Sequence, residues 1–318
     1  MIFIHSLREF FIIYGENRFL IQIQTDFGGN NVFDIEKVCI IGGDLRQVYL
    51  GRQFTCEGKF VTYYALELCP DAEPDYSSLN CAVSRCDTVI LPMPVTADGK
   101  TLRTPLSEMT IPLDDDFAKA LYGKRVFCGG AAALSKTADY SDVELYDYLA
   151  REELAVGNAV PTAEGAIAAA IDSSPKTLHA SRCLVAGFGR IGKVLARDLA
   201  ALGAKTTVSA RNNSDLAWIK ALGYTAVHTD NISESGEYDF IFNTIPAMIF
   251  DINVLEKTAR HAVVTDLASK PGGVDLEACE ALHIHAFPAL SLPGKTAPET
   301  AAAIIKDTID IISREEYP

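Results

Sequence analysis

The chain has 318 residues, 48 % of them apolar, enough for two domains that each bury a core of their own. Acidic residues outnumber basic ones 42 to 28, and the formal charge of −14 argues against nucleic acid or an anionic membrane surface as the main partner. Eight cysteines without a Cys-x-x-Cys pair or zinc-finger spacing read as free thiols, which points to a reducing, cytoplasmic compartment.

Residues 1–36 stand ahead of the first recognisable domain as an extension. Phe10–Tyr14 and Phe19–Ile23 flank a polar Gly15-Glu16-Asn17-Arg18 turn, which reads as a hairpin. The apolar runs are too short to span a membrane, and no small-residue cleavage site follows them.

A first α/β domain is expected over 37–174. Lys37–Ile41 is a strand that runs into Gly42-Gly43-Asp44, and a helix opens at Leu45-Arg46-Gln47-Val48. This is a strand–helix turn without the third glycine of a dinucleotide loop. Further strands are read at Phe60–Tyr64, Asp87–Leu91 (ending in Pro92-Met93-Pro94) and Lys124–Cys128 (ending in Gly129-Gly130). Asp114-Asp115-Asp116 reads as a solvated helix start, and no metal site is expected. Residues 141–174 read as mostly helical. Pro161-Thr162-Ala163-Glu164 opens an alanine-rich helix, so Glu164 is either a dipole-stabilising residue or a carboxylate in an interdomain cleft. Ser173-Ser174-Pro175 is the linker.

A second domain is expected over 175–291. Cys183–Ala186 is an apolar strand that ends in Gly187-Phe188-Gly189-Arg190-Ile191-Gly192, and an amphipathic pattern follows to Gly203. Gly-x-Gly-x-x-Gly between a strand and a helix is the context a dinucleotide site requires. Gly187 allows the turn, Gly189 admits the pyrophosphate, and Gly192 lets the helix pack on the strand. The next strand ends in Ser209-Ala210-Arg211-Asn212 with no acidic residue for a ribose 2′-hydroxyl. A carboxylate would repel a 2′-phosphate, whereas Arg211 can pair with it, so NADP is favoured over NAD.

Later strands end at Thr244-Ile245-Pro246 and at Asp266-Leu267-Ala268, both expected to lie over the cofactor, and the second runs on into Ser269-Lys270-Pro271-Gly272-Gly273. His283 and His285 are read on a last strand, facing one side, as surface histidines and not as a metal pair. Leu292–Pro298 is read as a loop, and a final helix from Glu299 to Ile312 lies within a crossover segment, 292–318. The fold class is therefore α/β: two Rossmann-like, doubly wound parallel-sheet domains. Ligands bind such sheets beyond the carboxyl ends of their strands. The loops Gly42–Arg46, Pro92–Pro94, Gly129–Gly130, Thr244–Pro246, Ser269–Gly273 and Leu292–Pro298 should converge on one cleft.

The segments IIGGDLRQ (from Ile40), AVPTAEGAI (from Ala159), GFGRIGKVLA (from Gly187), ARNNSDLA (from Ala210), NTIPAMI (from Asn243), DLASKPGGVD (from Asp266) and LPGKTAPETA (from Leu292) together resemble the A-subunit family of dipicolinate synthase. The resemblance runs from about Val38 to the final helix and leaves out residues 1–36. Lys270 departs from the arginine expected there, which keeps the charge and loses a bidentate grip. The resemblance implies an arrangement like D-2-hydroxyacid dehydrogenases and a substrate that is a dihydro- or 4-hydroxytetrahydrodipicolinate. It also implies dipicolinate as product during sporulation, in the mother-cell cytoplasm, and a flavoprotein-like B subunit for a partner. Homo-oligomerisation stays open.

Ring aromatisation requires loss of a hydride and a proton. Glu164 or Asp44 could take the proton, and Lys295 is a further catalytic candidate as a cation for a substrate carboxylate. Arg46, Lys270, Ser269 and Thr296 are the candidates for holding the substrate carboxylates. Two other readings are weighed: another NAD(P)-dependent dehydrogenase of the 2-hydroxyacid type, and a non-catalytic NADP-binding protein that activates its flavoprotein partner.

Overall fold

The computed structural model describes residues 35–72 and 78–316, together with the backbone of three strands nearer the N-terminus. The chain divides into two compact units, Ile35–Ile312 and a smaller one of Met1–Asp34 with Ser313–Pro318. In the smaller unit β1 (Ile2–Ser6), β2 (Glu9–Tyr14) and β3 (Asn17–Ile21) form an antiparallel sheet in that order. β2 and β3 pair from Tyr14↔Asn17 to Phe10↔Ile21. Of the hairpin read from the sequence, residues 15, 16, 22 and 23 lie outside the described residues. β1 is an additional strand; its apolar run of three residues is too short to show a period.

In the larger unit the first sheet builds from β4 (Lys37–Ile41), α1 (Leu45–Cys56), β5 (Phe60–Tyr64), α2 (Leu79–Ser84), β6 (Thr88–Ile90), α3 (Asp115–Ala120), β7 (Arg125–Cys128), α4 (Ala131–Leu134) and β8 (Glu144–Asp147). All five strands are parallel, in the order β5-β4-β6-β7-β8. Val38 to Ile41 are fully buried, as a central strand covered on both faces requires. α1 begins where it does because Asp44 caps it: its carboxylate accepts from the Arg46 N–H, and Gln47 reaches back to the Asp44 N–H. Asp114 caps α3 through the Phe117 N–H.

The chain then passes through a single 3₁₀ turn into α5 (Glu152–Gly157) and α6 (Ala159–Asp172). A second parallel sheet follows: β9 (Arg182–Ala186), α7 (Arg190–Ala201), β10 (Lys205–Ala210), α8 (Asn213–Ala221), β11 (Thr225–His228), β12 (Phe240–Asn243), α9 (Ile252–Glu256), β13 (Val263–Asp266), α10 (Leu276–Ala281) and β14 (His285–Pro288). Its order, β11-β10-β9-β12-β13-β14, is that of a dinucleotide-binding Rossmann sheet. The short α11 (Leu292–Thr296) and the long α12 (Pro298–Glu316) close the chain. Glu152–Asp172 is long and apolar enough by length and composition to cross a membrane. Ala163, Ala166 and Ala170, however, are fully buried in the core shared with α7, so it is a core helix of this fold.

Several expectations are corrected. Residues 144–147, read as helix, are the edge strand β8; over only four residues the apolar spacing fits either period. α6 begins at Ala159, two residues before Pro161. Proline is tolerated there because first-turn N–H groups have no partner in their own helix. β14 begins at His285, and His283 lies in the preceding turn with φ of +57°, so the two histidines do not share a strand face. A short helix replaces the loop expected at 292–296, and the final helix runs from Pro298 to Glu316.

Candidate active site

The glycine turn after β9 is shaped as a phosphate cradle. Gly187 has φ of +103°, and a Cβ there would lie 2.4 Å from Thr244 Oγ1. Thr244 holds that place by donating its hydroxyl to the Ala186 carbonyl at 2.8 Å. A Cβ on Gly192 would come within 2.2 Å of the Gly187 carbonyl oxygen, so only glycine lets α7 approach the turn this closely. Gly189 differs from both: nothing lies within 4 Å of where its Cβ would be. It is the N-cap of the twelve-residue α7 and brings no side chain to the first N–H groups. An open glycine ahead of uncapped helix N–H groups fits a dinucleotide pyrophosphate.

Beside it lies a cavity of about 290 Å³ whose lining includes Gly187, Gly189, Arg211, Asn212, Thr229 and Asp215. Arg211 is exposed and forms no ion pair among the described residues. Asn212 caps α8 and donates to Asp215 Oδ2 at 2.7 Å, which places a carboxylate in the same pocket. The glycine and strand patterns give no signal for Asp215 or Thr229. Ser209 is corrected: it is fully buried under the turn, with its Oγ 3.4 Å from the Gly187 N–H and 3.5 Å from the Thr229 hydroxyl. Arg190 turns to α5, where its Nε donates to Glu152 Oε1 at 2.7 Å. Phe188 is buried, and Lys193 lies 5.3 Å above its ring. Ile191 packs on the sheet core and Ala210 is buried.

On the far side of the turn Thr244, Ile245 and Pro246 also line the cavity. Asp266, Leu267 and Ala268 are buried. Asp266 acts as a staple, accepting from Asn243 Nδ2 at 2.8 Å, from the Ala268 N–H at 3.2 Å and from the Gly273 N–H at 3.1 Å. Its side chain is therefore spent on the loop, while Ser269 and Lys270 at that loop's tip are exposed.

A second cluster forms at the carboxyl end of the first sheet. Arg46 is buried and grips Asp44 with two parallel bonds, Nε–Oδ1 and Nη2–Oδ2, each 2.8 Å. Nη2 also donates to the Met93 carbonyl at 2.6 Å. The Nε and Nη2 donors of Arg46, expected to clamp a substrate, thus serve the protein. Burial pushes the Asp44 carboxyl up, but hydrogen bonds and charge from Arg46, with Arg103 adding to them, hold it below the usual carboxylate range. Arg103 Nη2 lies 3.8 Å from Asp44 Oδ2. Beneath this pair Tyr148 is fully buried and donates to the Leu91 carbonyl at 2.7 Å; burial raises its pKa well above the ordinary value.

The expected loops meet in two groups. Gly42–Arg46, Pro92–Pro94 and Gly129–Gly130 are joined through the Met93 carbonyl and the Val95–Gly129 and Gly129–Pro92 backbone bonds. Thr244–Pro246 and Ser269–Gly273 are joined through Asn243 and Asp266. The 292–296 segment bridges the two: Leu292 sits in the core of the second sheet, while a Cβ on Gly294 would lie 2.9 Å from Arg46 Nε. Lys295 and Thr296 follow on the exposed side. Glu164 falls outside both groups. It is exposed in the second turn of α6 and bears electrostatically on Arg197, two turns along α7 from the glycine loop. Among the described residues no group of three or more His, Cys, Asp or Glu side chains could hold a metal.

A family model for the N-terminal domain of the dipicolinate synthase A subunit matches residues 37–149. The A subunit of dipicolinate synthase from Bacillus subtilis is 32 % identical over 290 residues, 88 % of this chain and 96 % of that protein. A crystal structure of the same Bacillus subtilis protein superposes with a TM-score of 0.77 at 30 % identity, covering 90 % of this chain and 98 % of the other. D-lactate dehydrogenase from Escherichia coli, 14 % identical, superposes with a TM-score of 0.57 over 88 % of this chain and 96 % of its own, and so shares the two-domain fold.

Proposed function

The chain belongs to the dipicolinate synthase A-subunit family, and we propose that it is the oxidoreductase of that system, forming dipicolinate from dihydrodipicolinate with NADP⁺. The dihydro compound derives from 4-hydroxytetrahydrodipicolinate by loss of water. Its oxidation removes one hydride and one ring proton and leaves a pyridine dicarboxylate. The observation that supports this reading is the segment 292–296, which has Leu292 in the core of the sheet that carries the glycine turn and Gly294 against the cluster of two arginines and an aspartate.

When bound, the nicotinamide supplies the hydride acceptor. The first residues of α7 hold the pyrophosphate, and Arg211 with Asn212 meets the adenosine ribose. Lys270, exposed on a loop, and Lys295, exposed on α11, supply charge for a dianionic substrate. Asp44 is the proposed proton acceptor. Its low pKa makes it a weak base, which suffices because aromatisation drives proton loss. A partnering B subunit and a cytoplasmic setting in a sporulating cell complete the reading.

The test is absorbance at two wavelengths on the purified chain with NADP⁺ and freshly prepared 4-hydroxytetrahydrodipicolinate. Reduced nicotinamide and dipicolinate should rise in equal amounts. If they rise only once the partner protein is added, catalysis belongs to the complex. If neither rises under either condition, the substrate assignment is wrong.

A further inference from the structure

We propose that Arg103 is the residue that grips a substrate carboxylate, and that the Asp44–Arg46 pair is there to position it. The segment that carries Arg103 has no periodic pattern, yet the structure fixes it tightly. Its N–H donates to the Val95 carbonyl at 2.9 Å, and its own carbonyl accepts from the Gly43 N–H at 2.9 Å. Gly42 is in the left-handed region, and a Cβ there would lie 3.1 Å from the Arg103 carbonyl and 2.8 Å from Thr104 Cγ2. The double glycine at the end of β4 thus lets this segment lie flat against the turn. The backbone of Arg103 is held at the point where the strand order of the first sheet reverses, which is where open sheets bind ligands.

The side chain has a different character from that of Arg46. Arg46 is 6 % exposed and fills its Nε and Nη2 donors within the protein; Arg103 is 28 % exposed. Its one ion-pair partner among the described residues is Asp44 Oδ2, at 3.8 Å, an oxygen already held by Arg46 at 2.8 Å. That distance leaves the planar fork of donors free for a carboxylate, the geometry guanidinium groups match best. The Arg46–Asp44 pair is nearly neutral as a unit, so Arg103 brings net positive charge to this end of the sheet. Gly294, 3.3 Å from Asp44 Oδ2 by its would-be Cβ, brings the exposed Lys295 alongside. Two cations from distant parts of the chain then serve one dianion.

This inference rests on the proposed function for the identity of the anion, and the experiment separates the two. The full chain and its Arg103→Gln and Arg103→Lys variants are titrated calorimetrically with NADP⁺, then with pyridine-2,6-dicarboxylate and with D-lactate in the presence of NADP⁺. Arg103→Gln should weaken pyridine-2,6-dicarboxylate binding between about 10- and 100-fold, the loss expected for one charge-assisted pair. NADP⁺ affinity and melting temperature should stay at wild-type values, and Arg103→Lys should recover part of the loss. In turnover the effect should fall on KM more than on kcat. Equal binding of the dicarboxylate by wild type and Arg103→Gln would overturn the role of Arg103 and leave the substrate assignment standing. Binding of D-lactate alone, lost in Arg103→Gln, would overturn the substrate assignment and support the arginine. A wild-type chain that binds neither acid would overturn both.

Discussion

Asn243 and Asp266 face each other at the carboxyl ends of β12 and β13, and the Asn243 amide donates to the aspartate at 2.8 Å. The pair ties the end of β13 to the end of β12, whose next residues, Thr244 to Pro246, line the cavity beside the glycine turn. Because Asp266 also accepts from the Ala268 and Gly273 N–H groups, Asp266→Ala strands three buried donors. We expect a loss of roughly 2–4 kcal/mol in denaturant unfolding, and weaker dinucleotide binding as the 268–273 loop loosens. An unchanged midpoint would mean that water replaces the carboxylate.

The three glycines of the turn should fail in different ways. Gly189→Ala adds a methyl group to open space, so unfolding free energy should change by less than about 1 kcal/mol. With the pyrophosphate on the first residues of α7 as proposed, the same methyl group blocks it, so NADP⁺ affinity should fall tenfold or more. Gly192→Ala drives a Cβ into the Gly187 carbonyl and should destabilise the fold itself, visible in thermal melting without any ligand.

Cofactor choice should turn on the cavity below α8. Arg211→Asp replaces a cation that can meet a 2′-phosphate with a second carboxylate beside Asp215. The ratio of NADP⁺ to NAD⁺ affinity should fall by about 10- to 100-fold, read by titrating both cofactors. An unchanged ratio would show that the 2′ position is recognised elsewhere.

Asp44 gives the fold an acid limb of known sign. Its folded-state pKa lies below the unfolded value near 3.8, so its contribution is fully present above that value and is lost as pH falls through the folded pKa. Stability measured from pH 5 downward should decline less steeply in Asp44→Asn. Arg46→Met should be worse than either, by about 3 kcal/mol at pH 7, because it leaves Asp44 half-buried without its main partner.

Much of this is legible in the sequence where one residue type alone can satisfy the backbone. The turn at Gly187 and the close helix approach at Gly192 are readable, because a strand before and a helix after fix the turn between them. What escapes is contact built from loops. Arg103 carries no signal, since its place is set by Gly42, Gly43 and Val95 rather than by its neighbours in sequence. Asp44 and Arg46 read as separate candidates, and nothing in Gly-Gly-Asp-Leu-Arg says that the two close on each other. The start of the helix that carries Glu164 is misread because Pro161 marks it two residues late. Moving that start to Ala159 puts the carboxylate in the second turn, on the face near Arg197. β8 and β11 are edge strands of four residues each, and patterns this short suit helix or loop as well.

Lys306 is nearly buried on α12, yet its ammonium group meets Glu57 at 2.9 Å and lies 4.8 Å above the ring of Phe54, both in or beside α1. The outer layer of the first sheet is therefore finished by the other end of the chain, after the whole second sheet has been made. During synthesis α1 has to wait for this cation above Phe54 until about 250 further residues have left the ribosome. A chain split near 175 should yield two pieces that each aggregate alone and become soluble only when produced together, as halves that complete one another.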